Sequence, residues 1–130
     1  MCKGAGMIHP NMGTMLSFIT SDAAIDQKLL QQFLSEIVED TFNMISVDGD
    51  TSTNDTCLVL CNGLAENPVI TEEDEAGKEF KAALAYVMEY LAKQIAGDGE
   101  GCTRLLKLPV MEQLQRKMQR LSASLLYVLL

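Results

Sequence analysis

Two long segments of this chain carry apolar residues that return every three or four positions, and short apolar runs of strand length lie before, between and after them. In "SDAAIDQKLLQQFLSEIVEDTF" the residues Ile25, Leu29, Leu30, Phe33, Leu34, Ile37 and Val38 share one helical face, with Ser21 or Asp22 placed to cap it. In the second segment Thr71 is followed by Glu72, Glu73 and Asp74, acids that favour a helix N-terminus. Phe80, Leu84, Val87, Leu91 and Ile95 then continue one stripe until Gly97. Such a stripe must be buried against another element, so the alternation predicts a layered α/β or α+β structure.

The shorter runs complete the order. Asn11, Gly13 and Thr14 are turn or cap residues, whereas Met15, Leu16, Phe18 and Ile19 suit a strand interior, which predicts a strand over 14–20 with Thr14 on its boundary. "NMISVDGD" reads as a short strand running into an acidic turn. "STNDTCLVLCNG" fits a strand or a short buried helix; Ser52 with Asp55 as a capping box and Asn62-Gly63 as a stop favour the helix. "CTRLLKL" is strand-like, and "MEQLQRKMQRLSASLLYVLL" is helical and then uniformly apolar. No internal repeat or Pro/Ser-rich linker divides the 130 residues, so one domain is expected.

Charge and composition exclude several functions. Ten basic against eighteen acidic residues give a net charge of −8, which repels a phosphate backbone and argues against nucleic acid as a partner. No apolar run has the length of a bilayer span, and Met1 to Asn11 holds one Lys and no apolar run of signal-peptide length, which makes the cytoplasm the expected compartment. Of the four cysteines, Cys2, Cys57, Cys61 and Cys102, none forms a CxxC pair, and His9 has no nearby cysteine. Reduced, largely buried thiols and no metal are therefore expected. The eight methionines, several within apolar stretches, read as core filler.

Three loops offer polar chemistry. "DGDTSTND" (48–55) has oxygen side chains at alternate positions, as a calcium loop has. Its sixth position is Thr53 where glycine is needed, and its twelfth is Val59 where a bidentate glutamate is needed, so calcium is disfavoured. "GDGEG" (97–101) is no phosphate cradle, because Asp98 and Glu100 would repel the anion. In "KGAGMIHPNMGT" the glycines at 4 and 6 are too few for a dinucleotide fingerprint.

"KGAGMIHPNMGTML", "VDGDTSTNDT" and "GDGEG", in that order and separated by helices, together resemble the ornithine acetyltransferase family, also called glutamate N-acetyltransferases. Lys3 lies 11 residues before Thr14 and Glu100 lies 86 after it, which matches the family's spacing across residues 2 to about 104. Beyond Leu105 the likeness weakens, and a DPNWGR-like motif is absent. The resemblance implies an incomplete α/β fold, an α+β layered sandwich of the N-terminal-nucleophile type. It also implies a partial domain over 1–130, running from just before a self-cleavage point to midway through a second subunit.

What the family implies for this sequence is specific. A precursor would cut its own backbone between Gly13 and Thr14, and Thr14, then an N-terminus, would be the nucleophile. A hydroxyl is a weak nucleophile at neutral pH, but a freed α-amine with a pKa of about 8 can accept its proton. Thr14 would take the acetyl group of N-acetylornithine and pass it to glutamate. Lys3 would contact the substrate carboxylate and Glu100 its amino end, with Thr14 itself part of the substrate site. No cofactor is implied, although acetyl-coenzyme A is a possible second donor. The complete enzyme would be a hetero-oligomer of its two cleavage-derived subunits. The oxyanion donors, worth about 3 kcal/mol each, would lie upstream, so the chain alone is expected to be inactive. Gly13 stands where the family usually has alanine and is expected to hold the scissile turn less firmly. The alternative is a noncatalytic fragment whose apolar "LLYVLL" end docks on a missing subunit.

Overall fold

A computed structural model describes residues 1–4, 15–46, 55–99, 103–105 and 107. Strands β1 (Cys2–Lys3), β2 (Leu16–Ser21) and β3 (Thr56–Cys61) form a mixed sheet in the order β1-β2-β3, in which β1 and β2 are antiparallel and β2 and β3 parallel. Helix α1 (Gln27–Asp40) makes the crossover between the parallel strands, and α2 (Glu75–Gly97) follows β3. The strand predicted over 14–20 is present as β2, which begins at Leu16 and runs to Ser21, with Thr14 outside the described residues, and both helices are present.

The strand alternation divides the sheet into two unlike faces. Met15, Ser17 and Ile19 of the β2 segment and Val59 of β3 point inward and are buried. They pack with Leu29, Phe33 and Ile37 of α1 and Leu84, Met88, Ala92 and Ile95 of α2. Phe33 and Met88 are wholly excluded from solvent, and burying each such side chain contributes about 1.5–3 kcal/mol. Leu16, Phe18, Leu58 and Leu60 point the other way, away from the helices, and are 38%, 38%, 41% and 54% exposed.

Several expectations are corrected. The run at 56–61 is a strand, not a helix: Leu16 pairs with Thr56 and the register continues to Ser21 with Cys61. Asp55 accordingly does not complete a helix capping box; its carboxylate accepts a hydrogen bond from the Met15 N–H, and Ser52 lies outside the described residues. Helix α1 starts later than Ser21 or Asp22, at an Asp26 cap whose carboxylate accepts from the N–H groups of Lys28 and Leu29 at 2.9 and 3.1 Å. The preceding residues are held elsewhere. Ile25 makes a parallel bridge with Ile70, and the Asn67 side chain binds both the N–H and the C=O of Ala24. Ile25 is therefore outside the helix whose face it was expected to join.

Helix α2 is capped by Asp74, which accepts from the Gly77 N–H at 2.9 Å, three residues after Thr71. Its buried row runs through Leu84, Met88, Ala92 and Ile95, and Val87 is 39% exposed. Phe80 and Leu91 flank the core, half-buried. Of "NMISVDGD", expected as a short strand running into a turn, the described residues 43–46 form no strand, and 47–50 lie outside the described residues. Thr41 closes α1 by donating its hydroxyl to the Ile37 carbonyl at 2.7 Å, and a 3-10 turn over Phe42–Met44 follows. Within "CTRLLKL" the described residues 103–105 and 107 form no strand. The segment 111–130 lies outside the described residues.

Candidate active site

Parallel strands begin at the same end of a sheet, and an antiparallel neighbour ends there. This places the start of β2, the start of β3 and the end of β1 side by side, with Lys3 opposite Leu16 and Leu16 opposite Thr56. Directly opposed residues share a face. Lys3 therefore stands on the helix-free face beside Leu16, exposed.

The backbone at this end is tied down at Met15. Its N–H donates to Asp55 Oδ1 at 2.8 Å, and its carbonyl accepts from the Thr56 N–H at 2.9 Å. The side chain of Met15 is 3% exposed, so the residue is fixed by packing as well as by hydrogen bonds. Partial burial pushes the Asp55 carboxyl above its ordinary pKa, and the bond from Met15 opposes that shift without cancelling it. The α-nitrogen of Met15 is the amide of its peptide bond to Thr14, so Asp55 grips the chain one bond beyond the predicted nucleophile.

Of the predicted site residues, Lys3 lies at this sheet end, whereas Gly13, Thr14 and Glu100 fall outside the described residues. Asp55, the last residue of the acidic stretch, is joined through Met15 to the β2 segment. Asp55 is the residue that the sequence reading left without a role at the site. Its signal was an acidic side chain placed just before an apolar strand, where it can receive a neighbour's N–H.

Other chemistry-bearing groups are accounted for. Burial pushes the Cys57 and Cys61 thiols up, which makes poor nucleophiles of them. Cys2, Cys57 and Cys61 are free thiols. Among the described residues no group of three or more His, Cys, Asp or Glu could hold a metal ion, and no helix is long and apolar enough to cross a membrane. A groove of about 940 Å³ between α1 and α2 is lined by Glu36, Asp40, Lys81 and Glu89 among others, and contains none of Lys3, Met15 and Asp55. Its Lys81 is held by Glu36 at 2.6 Å and Glu73 at 2.9 Å.

Residues 1–126 match the ArgJ family. This chain belongs to that family. It is 61% identical over 110 residues to the arginine biosynthesis bifunctional protein ArgJ of Lactococcus lactis, an alignment that covers 85% of the chain and 28% of that protein. It is 56% identical over 108 residues to the ArgJ of Bacillus subtilis, covering 83% of the chain and 27% of that protein. The crystal structure of the ArgJ bifunctional protein from Bacillus halodurans is similar in fold, with a TM-score of 0.67 and 56% identity over 70% of the chain and 43% of that structure's chain. The ArgJ-family chain thus spans less than a third of the length of these curated relatives, and the α/β fold expected from the sequence agrees with the solved neighbour.

Proposed function

We propose that this chain carries the self-cleavage point and acyl-accepting threonine of an acetyltransferase that serves arginine biosynthesis. The observation that carries the reading is the arrangement of Lys3 and the pinned Met15 backbone, one residue after Thr14, at a single sheet end in a chain 61% identical to an ArgJ protein.

In the first step Thr14 Oγ adds to the Gly13 carbonyl carbon and the Gly13–Thr14 C–N bond breaks. The acyl group moves to oxygen and the nitrogen becomes the α-amine of Thr14. Water then hydrolyses the ester, leaving a Gly13 carboxylate and a free Thr14. In the transfer reaction the α-amine takes the Oγ proton as Oγ attacks the acetyl carbon of N-acetylornithine. That proton goes to the departing nitrogen, and ornithine leaves. Glutamate then attacks the acetyl-threonine ester through its own α-amine, regenerating the hydroxyl and yielding N-acetylglutamate. Lys3 supplies positive charge for a substrate carboxylate and Glu100 negative charge for its ammonium end. Acetyl-coenzyme A entering at the same ester-forming step would make the enzyme an N-acetylglutamate synthase as well.

The two cleavage products would remain together as the two kinds of subunit of a hetero-oligomer, working in the cytoplasm with their thiols reduced. The bare apolar face of Leu16, Phe18, Leu58 and Leu60 favours a second reading, in which the chain acts only by associating with another subunit.

The test is co-production of the chain with the segment of the L. lactis relative that precedes the matched region, followed by intact mass and an acetyl-transfer assay. Loss of residues 1–13 together with transfer from N-acetylornithine to glutamate is expected, and Thr14→Ala should abolish both. An uncleaved Thr14→Ala chain with full activity would sink the mechanism. Association without cleavage or transfer would favour the second reading.

A further inference from the structure

A parallel ladder normally satisfies each N–H with a main-chain carbonyl of the neighbouring strand. Just before the first pair of β2 and β3, Leu16 with Thr56, that place is taken by a side chain: Asp55 Oδ1 accepts from the Met15 N–H at 2.8 Å across a sequence separation of 40 residues. The next bond, from the Thr56 N–H to the Met15 carbonyl, is an ordinary rung at 2.9 Å. Both polar groups of Met15 are thereby committed, one to a carboxylate whose bond is shorter and more directional than a neutral one. The peptide plane that contains the Met15 nitrogen also contains the Thr14 carbonyl. Holding the Met15 nitrogen holds one end of the peptide unit that joins it to Thr14.

We propose that Asp55 is a positioning residue for the chemistry at Thr14: its carboxylate, through the Met15 N–H, sets the peptide from which the nucleophile projects. The proposal rests on the reading of Thr14 as the nucleophile. Asp55 touches neither the scissile bond nor the substrate in this role and acts only through the backbone. Reaction at Thr14 needs its oxygen about 3–3.5 Å from the attacked carbon, and a displacement of about 1 Å at such a site costs on the order of 10²-fold in rate. A loosened Met15 anchor should therefore slow cleavage and transfer while leaving the fold and the substrate's charge contacts in place.

Asp55→Asn and Asp55→Leu provide the comparison, since the two replacements have nearly the same shape and only asparagine keeps an oxygen that can accept the Met15 N–H. Both are made in the full chain co-produced with its upstream segment, beside Thr14→Ala. Intact mass against time gives the cleavage rate, and steady-state assays give kcat and KM. Asp55→Leu should cleave at least tenfold more slowly and lose kcat with KM within about twofold, whereas Asp55→Asn should recover to within about threefold of the parent. Hydrogen exchange at the Met15 amide, measured in the uncleaved Thr14→Ala background, should accelerate with Asp55→Leu and be restored with Asp55→Asn. This second measurement needs no activity, and Asp55→Ala replaces Asp55→Leu should the latter fail to fold.

Unchanged Met15 exchange in the leucine or alanine variant would overturn the proposal, as would parent-like cleavage and kcat in a folded one. A parent chain that stays uncleaved, or a Thr14→Ala chain that is still cut before residue 14, would instead overturn the nucleophile reading and the proposal with it. Parent-like behaviour of the leucine variant beside a dead Thr14→Ala removes the Asp55 role alone.

Discussion

Replacing Ser17 with alanine should make this protein more stable. Ser17 is the centre of a row on the inner face of the sheet, opposite Cys2 on one side and Cys57 on the other, and it is fully buried. Its hydroxyl makes no hydrogen bond of normal geometry. The sulfur of Cys57 is a weak acceptor, and its interaction with Ser17 does not outweigh the effect of burial on that thiol. A buried hydroxyl without a proper partner costs about 1–3 kcal/mol. Ser17→Ala removes that cost and leaves a void of roughly one oxygen atom, worth about 0.4 kcal/mol at about 24 cal/mol per Å³, with a few tenths more lost to alanine's weaker preference for strands. The balance is a gain of about 0.5–2 kcal/mol, read as a higher midpoint of urea unfolding with an unchanged slope. Ser17→Cys, which refills the void with a softer atom, should gain at least as much. A loss of more than about 1 kcal/mol in Ser17→Ala would refute the reasoning, because the hydroxyl would then have to be bonded. A double-mutant cycle with Cys57→Ala would show the coupling directly.

Two further outcomes follow from the packing. In Gly77→Ala the added Cβ would press into the backbone carbonyl of Glu72, which cannot move aside as a flexible side chain can. Urea unfolding should therefore show a loss of about 1–3 kcal/mol, although alanine is intrinsically the better helix former by about 1 kcal/mol; a net gain would mean that the loop before α2 yields. Leu60→Lys, at the most exposed apolar position of the outer sheet face, should change unfolding free energy by less than about 1 kcal/mol while reducing concentration-dependent self-association in light scattering; equal scattering from parent and variant would show that this face is not adhesive.

The helices were legible because a stripe at helical spacing has one physical solution, burial of that stripe, and Leu29, Phe33, Ile37, Leu84 and Ile95 are where it predicts. The start of α1 was misplaced for a reason local sequence does not carry. Ser21 and Asp22 are good caps in isolation, but Ala24, Ile25 and Ile70 are used in a bridge between two distant segments, which delays α1 to Asp26, whereas Asp74, one of the acids expected at the start of α2, is its cap. The run at 56–61 is apolar on both faces, and a fully apolar run has no period by which to tell strand from helix. What decides it is the partner, since each residue from Thr56 to Cys61 has an opposite number on β2. Of the candidate site, the motifs that carry the family resemblance were legible from the sequence. The Met15–Asp55 bond was not, because an acid placed before an apolar strand does not show which amide it receives, here one 40 residues away.

The Met15–Asp55 bond depends on the core that sets the register of β2 on β3. The Met15–Asp55 bond exists only in the observed register of β2 on β3, because a strand advances about 3.3 Å per residue and a slip of a single position would carry the carboxylate out of bonding reach. A slip of one position would also turn the inward set of one strand outward, placing Ile19 or Val59 on the face now occupied by Phe18 and Leu58. Phe33 and Met88 pack in the same core as Ile19 and Val59 and so help to hold that register. Variants that loosen this core should release Met15 from Asp55 before they unfold the chain, and Met15 amide exchange is the measurement that separates the two events.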